Sequence, residues 1–251
     1  MQLKYVTPLV LAALSAALMM NYFKKEALDM HNTLIVGTNA EYQPYSFVKD
    51  GNITGFDIDL VRELAQRMGK KVVLKDMAFT TLLPELQMGS IHVIAAGMSP
   101  TAQRAQHVLF LAPHHSGDPL VLITPQGSGV TSLNNLKGKT VIVNEGFTAD
   151  SFISTLDDIH IVRLPSVADA FLTLNSGRAD AFVSAASSVQ PFFALHGKEQ
   201  WLVTNIPNTE DTAALAVSKK YPELHHDLQQ QLNALFADGT ISKLAKKWGL
   251  S

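Results

Sequence analysis

The residues with the clearest chemical character lie between His92 and Arg104, in the run His-Val-Ile-Ala-Ala-Gly-Met-Ser-Pro-Thr-Ala-Gln-Arg. Residues 93–96 predict a short buried strand, Gly97 ends it, and residues 99–101 open a helical turn that carries Arg104. Helix N-termini attract anions, and a guanidinium can bind a carboxylate through two parallel hydrogen bonds. The run therefore indicates a cradle for a small carboxylate. An ordinary strand-to-helix connection with a surface arginine is the alternative.

The elements that must position this turn follow an α/β rhythm. Strand-like and helix-like runs alternate from Thr33 onwards, in two similar series separated by a Pro/Gly/Ser loop at residues 124–129. Two such lobes, facing one another, would bring their strand-end loops into one cleft, where open α/β sheets bind ligands. The predicted strands include residues 93–96 and 213–217, and the predicted helices include residues 56–68, 82–88 and 149–156.

Composition excludes several classes of function. The chain has 251 residues, a net charge of −2 and no cysteine. There is consequently no electrostatic basis for binding nucleic acid, and disulfides and thiolate metal sites are excluded. The pairs His114-His115 and His225-His226 are adjacent rather than four residues apart, so they do not predict a metal site. We predict neither a metal nor a cofactor, and we expect Asp57 and Asp59 to cap or solvate the start of their helix.

The N-terminus predicts export. A short basic start precedes an almost wholly apolar run at residues 5–23, and charge returns at residues 24–26. Residues 1–25 are therefore expected to be a signal peptide or an N-terminal anchor, and both possibilities stay open. Either one predicts a periplasmic location.

Short motifs recur along the chain in a fixed order, at residues 36–45, 55–60, 83–89, 97–101 with Arg104, 136–139, 146–148, 177–181, 238–239 and 246–249. Together they resemble those of periplasmic amino-acid-binding proteins of ABC importers (type II solute-binding proteins of the polar and basic amino-acid cluster). The loop at residues 38–40 and the Lys-Trp-Gly-Leu ending are similar to those of arginine-binding members.

This resemblance implies a clamshell of two lobes, each a mixed sheet flanked by helices, that closes on its ligand. The chain would cross between lobes near residues 116–120 and 211–214. The first lobe would then comprise residues 32–117 and 214–251, and the second lobe residues 118–213.

The resemblance also assigns residues to the ligand. Arg104 would bind the α-carboxylate, helped by Ser99 and the backbone at Thr148, and the Gly97 carbonyl would receive the α-ammonium. Tyr42 and Phe79 would hold the ligand side chain between their rings, an arrangement that suits a guanidinium. The full set of candidate ligand-binding residues is Asn39, Tyr42, Phe79, Gly97, Met98, Ser99, Arg104, Asn144, Glu145 and Thr148.

Two positions depart from the family pattern. Asn39 stands where many members have an aspartate, and Ala185 stands where the family usually has the acid that pairs with the α-ammonium. Because a buried ammonium without an acidic partner is costly, another group must compensate, or the ligand lacks that ammonium. Glu145 is the first candidate for that acid and Glu41 the second. Asn144, Ser184 and Ser187 could add neutral contacts.

The sequence therefore predicts a monomeric, non-enzymatic receptor that delivers a polar amino acid, arginine or another basic one first, to an ABC permease. One alternative is a binder of a carboxylate without an α-ammonium. Another is a periplasmic enzyme on the same fold, a dehydratase of cyclohexadienyl or prephenate-like acids, in which Glu145 would be a general acid. A third is a sensor domain held at the membrane by residues 5–23.

Overall fold

The computed structural model describes residues 32–250, so the predicted leader lies outside the described residues. Its strands are β1 (Thr33–Thr38), β2 (Glu41–Tyr42), β3 (Ser46–Lys49), β4 (Asn52–Thr54), β5 (Lys71–Asp76), β6 (Val93–Ile94), β7 (Val108–Phe110), β8 (His115–Asp118), β9 (Leu120–Pro125), β10 (Thr140–Asn144), β11 (His160–Leu164), β12 (Ala181–Ala185), β13 (Trp201–Asn205), β14 (Asp211–Ala213) and β15 (Ala216–Ser218). Its helices are α1 (Phe56–Arg67), α2 (Phe79–Met88), α3 (Ala102–Ala105), α4 (Thr148–Ile153), α5 (Val167–Asn175), α6 (Ala186–His196), α7 (Pro222–Ala237) and α8 (Thr240–Trp248).

Two five-stranded mixed sheets organise these elements. The first has the order β5-β1-β6-β15-β7, with β1 parallel to both of its neighbours and β15 antiparallel to both of its own. The second has the order β11-β10-β12-β9-β13, with β10 parallel and β9 antiparallel to their neighbours. We call the two sheets, each with the helices packed on it, lobe 1 and lobe 2. The predicted α/β architecture of two mixed sheets flanked by helices is confirmed.

Each sheet has a hydrophobic core on both faces, as sheets with central parallel strands usually do. Along β1, Leu34 and Val36 join the core shared with α1, α7 and α8, whereas Ile35 packs against the core under α2. Strand β9 divides its side chains between the two cores of lobe 2 in the same way. The alternation follows from the two-residue period of a strand, and it leaves the strand ends free to carry polar loops.

The chain passes between the sheets twice. Strand β8 lies on the way from β7 to β9, and β14 lies on the way from β13 to β15. These two strands pair antiparallel, with Asp211 opposite Asp118. The connection between the lobes is thus a two-stranded ladder. The division into domains at residues 117/118 and 213/214 stays a prediction.

Several element limits differ from the sequence-based expectations. The strand that begins at Val93 ends at Ile94, and the single strand expected at residues 213–217 is two strands, β14 and β15, in different sheets. Between them, the backbone N–H of Ala214 donates to the carbonyl of Met98, in the loop after β6. Helix α2 begins three residues before the predicted start, and α4 ends three residues before the predicted end.

Candidate ligand-binding site

Arg104 lies between the lobes and donates hydrogen bonds to both. Helix α3 begins at an N-cap, Thr101, whose hydroxyl accepts the backbone N–H of Arg104 at 3.3 Å. The guanidinium Nη1 donates to the Ser99 carbonyl and Nη2 to the Gly146 carbonyl of lobe 2, each at 2.8 Å. Burial lowers the pKa of Arg104, against the opposing effect of the Asp211 carboxylate. An arginine remains charged in a protein, so the turn fixes a cation where the lobes meet.

The carboxylate of Asp211 in β14 accepts hydroxyl groups from both lobes. The Ser99 hydroxyl of lobe 1 donates to it, and the Thr148 hydroxyl of lobe 2 donates at 2.6 Å. The residue is only 7% exposed. Ser99, which we predicted to contact a ligand carboxylate, thus binds a carboxylate that the protein supplies. Asp211 was absent from the predicted site residues, although its position in the predicted crossing at residues 211–214 was a usable signal.

A second buried acid, Asp118, lies opposite Asp211 on the connecting ladder. It accepts the backbone N–H of Ser187 at 2.9 Å and also the hydroxyl of that residue. Burial raises the pKa of Asp118, and the charge of Asp211 adds to that effect. Over residues 32–250, neither acid forms an ion pair with a basic side chain. The ladder therefore holds negative charge that a cation could neutralise.

Three aromatic rings meet beside Arg104. The ring of Phe147, from lobe 2, stacks on Phe79 of lobe 1 with centroids 4.1 Å apart and an interplanar angle of 24°. It also contacts Tyr42 at 4.8 Å. The guanidinium carbon of Arg104 lies 5.4 Å from the Phe79 centroid. The two rings predicted to hold a ligand side chain thus both contact a ring of the protein. Phe147 was absent from the predicted site residues.

An acidic cavity of about 260 Å³ is lined in part by Phe79. Its walls also include the acidic residues Glu41, Asp76 and Glu145, together with Asn39. No lysine, arginine or histidine of the described chain lines it. Three acids and one aromatic ring favour a cationic group in this cavity.

The remaining predicted residues divide between backbone and side-chain roles. Gly97 has a φ of +60°, and a Cβ there would lie 2.6 Å from the Tyr42 ring, so only glycine fits. The side chain of Met98 is fully buried in the core under α2. The Asn144 amide donates to the Leu164 carbonyl at 3.3 Å, whereas its buried oxygen has no partner within residues 32–250.

The expectation for Asp57 was wrong. Its carboxylate is fully buried, accepts the Gly97 N–H at 2.7 Å and pairs with His114 at 2.8 Å. The first turn of α1 is therefore directed into the molecule and supports the loop after β6 from behind. Asp59 does lie nearer the surface, where it accepts Lys247 and Trp248 of α8.

Comparison with known proteins identifies the family. Residues 34–251 match the model described as bacterial extracellular solute-binding proteins, family 3. The chain belongs to this family. The resemblance found in the sequence is thereby confirmed. Over residues 32–250, no helix has the length and apolar character needed to cross a membrane.

Several proteins similar to this chain have names that refer to the binding of an amino acid. The arginine-binding extracellular protein ArtP of Bacillus subtilis is 28% identical over 218 residues, which cover 86% of this chain and 85% of ArtP. A mutant of ArgBP from T. maritima superposes with a TM-score of 0.82 at 32% identity, covering 90% of this chain and 99% of that one. An ancestral arginine-binding protein bound to glutamine superposes with a TM-score of 0.80 at 31% identity, covering 86% of this chain and 97% of that one. The fold is therefore that of type II solute-binding proteins.

Proposed function

We propose that this protein captures a basic amino acid, arginine first, outside the cytoplasmic membrane and delivers it to an ABC permease. The observation that carries the proposal is the combination of a buried guanidinium between the lobes with an acidic cavity that Phe79 helps to line. A zwitterion with a cationic side chain has charges of the signs that these two regions accept. The names of the similar proteins agree with an amino-acid ligand.

The α-carboxylate of the ligand binds Arg104. Two guanidinium N–H groups now donate to neutral carbonyls, and a carboxylate is a stronger acceptor for them because it carries charge. The Ser99 hydroxyl and the backbone at Thr148 complete the cradle, because both residues meet at Asp211, to which both of their hydroxyls donate. In the complex the Ser99 hydroxyl donates its hydrogen to the ligand instead of to Asp211. Closure of the lobes desolvates this contact and strengthens it.

The α-ammonium binds Asp211, with Asp118 behind it. This assignment supplies the acid that Ala185 cannot. Asp211 is the better candidate for it than Glu145, because Asp211 shares its hydroxyl donors with the carboxylate cradle. Glu145 is an exposed residue at the acidic cavity, where it faces the cationic end of the ligand side chain.

A ligand screen tests the function directly. Thermal unfolding is followed with each of the twenty amino acids, polyamines and prephenate-like acids, and the positive ligands are titrated by calorimetry. A ligand at a hundred times its Kd stabilises by about 2.7 kcal/mol. We expect arginine to give the largest shift, followed by other basic amino acids. A response confined to carboxylates that lack an α-ammonium would overturn the proposal.

The protein is a receptor and not an enzyme in this proposal, as its family of solute-binding proteins suggests. The calorimetric samples are recovered after titration and analysed by mass spectrometry. Unchanged ligand with one-to-one binding is expected, and turnover of a cyclohexadienyl acid would favour the enzyme instead. We further propose a periplasmic monomer, checked by fractionating cells and by light scattering of the purified protein.

A further inference from the structure

We propose that Phe147 is a specificity-determining residue whose ring occupies the position of the ligand side chain and must leave before a ligand enters. The inference rests on the proposed function, because it takes the contact surfaces of Tyr42 and Phe79 as the place for that side chain. It adds that a ring of the protein covers those surfaces.

Ring geometry makes the two occupants mutually exclusive. Phe147 stacks on Phe79 with centroids 4.1 Å apart, close to van der Waals contact. A planar group placed between two rings needs roughly 7 Å from one ring to the other, because each contact requires about 3.5 Å. No such space exists on the face of Phe79 that Phe147 covers. A guanidinium can stack there only after the Phe147 ring has moved.

The covering ring comes from the opposite lobe. Phe147 is the N-cap residue of α4 in lobe 2, yet it packs against the hydrophobic cores on both faces of lobe 1. The preceding carbonyl, of Gly146, accepts the hydrogen bond from Arg104. Two consecutive residues of lobe 2 thus contact both parts of the proposed site. The Gly146 carbonyl lies at the guanidinium of Arg104, and the Phe147 ring lies against Tyr42 and Phe79.

This arrangement sets both affinity and selectivity. A ring that holds the lobes together without ligand lowers the fraction of molecules that can bind, and apparent affinity falls by that fraction. Ligands whose side chains reach Phe79 must displace the ring, whereas very small ones need not. Phe147 therefore weakens the binding of long side chains most, and its removal should strengthen their binding most.

The test compares Phe147→Ala with Phe192→Ala. Phe192 is a matched control because its ring stacks on Phe171 at 3.7 Å, in a core of lobe 2 that contains none of the candidate ligand-binding residues. We expect Phe147→Ala to bind arginine about tenfold more tightly by calorimetry and to gain much less for glycine. Phe192→Ala should leave both affinities unchanged. Equal or weaker arginine binding by Phe147→Ala would show that the ring is a bystander or a wall of the ligand site, and would overturn the inference.

Small-angle scattering without ligand provides a readout independent of the ligand's identity. The parent should have the radius of gyration of a compact chain, about 18 Å, and Phe147→Ala a larger one. An unchanged radius overturns the inference even if the protein binds arginine, whereas a larger radius with no amino-acid binding overturns only the proposed function. Phe147→Leu, which keeps an apolar side chain without a flat ring, should fold if alanine does not and should show a smaller change of the same sign.

Discussion

Nη2 of Arg104 in lobe 1 donates a 2.8 Å hydrogen bond to the carbonyl of Gly146 in lobe 2. A buried guanidinium thus links the lobes through a neutral acceptor. Because a carboxylate is a stronger acceptor for a guanidinium than a carbonyl is, we expect the carboxylate of a ligand to replace this bond with a gain in free energy. The proposed binding of an amino acid depends on that replacement.

Replacing Arg104 by lysine should weaken binding of arginine by about 10- to 100-fold, measured by calorimetry. Lysine keeps the charge but cannot form two parallel hydrogen bonds, and hydrogen bonds to charged groups contribute about 1.5–3 kcal/mol. Arg163→Lys is the matched control, because Arg163 also binds a carboxylate, that of Asp150, but within lobe 2. Equal losses in both variants would contradict a role for Arg104 in binding.

Glu145→Gln should separate basic from neutral ligands. The variant should bind arginine several-fold more weakly, since an exposed ion pair contributes up to about 1 kcal/mol, and should bind glutamine as the parent does. Glu199→Gln, at an exposed position of lobe 2, is the control. If Glu145→Gln lost affinity for both amino acids equally, Glu145 would be the acceptor of the α-ammonium instead.

Asp211→Asn tests the assignment of the α-ammonium. Asparagine keeps one oxygen to accept one of the two hydroxyls, of Ser99 or Thr148, and its NH2 group can donate to the oxygen of the other. The fold should therefore persist, but asparagine offers no charge to an ammonium. We expect affinity for every amino acid to fall at least tenfold by calorimetry, while binding of des-amino analogues stays the same or improves. If Asp211→Asn bound amino acids as tightly as the parent does, Glu145 would be the acceptor of the α-ammonium instead.

Asp118→Asn should raise the thermal midpoint at pH 7. Burial raises the pKa of this carboxyl, so the folded chain binds its proton more tightly than the unfolded chain does. The contribution of this carboxyl to stability is then most favourable below the unfolded pKa, about 3.9, and declines as pH rises through the folded pKa. Asparagine does not titrate, so the substitution removes that decline. A gain of about 1 kcal/mol in the free energy of unfolding would raise the thermal midpoint by about 2–4 °C.

The measurement for Asp118 is calorimetric unfolding at pH 4, 5.5 and 7 beside Asp50→Asn. Asp50 is exposed with a φ of +51°, which asparagine also tolerates, so this control should change little at any pH. A gain for Asp118→Asn that was larger at pH 4 than at pH 7 would contradict the sign.

Asp57→Ala should destabilise the protein by about 3–5 kcal/mol in urea unfolding, because it leaves a buried His114 and the Gly97 N–H without their acceptor. Asp59→Ala, two residues along the same helix, should cost less than about 1 kcal/mol, since its partner Lys247 is largely exposed. Similar losses for the two variants would show that the buried Asp57–His114 pair stabilises the protein no more than the Asp59–Lys247 pair does.

Local patterns were sufficient for much of the fold. The apolar face of α1 and the turn from Ser99 to Arg104 could be predicted because helix period, strand alternation and capping depend on residues within a few positions of one another. The strand expected at residues 213–217 could not be divided correctly, because an apolar run does not show which of two sheets each half joins.

The sequence by itself determined that a helical turn with an arginine follows a buried strand, and that two similar α/β series follow one another. Only the tertiary structure decided what meets that turn. Asp211 is 112 residues from Ser99 along the chain, and Gly146 is 42 residues from Arg104. A periodic pattern specifies which face of an element is buried, whereas the group that covers the face depends on packing between distant segments.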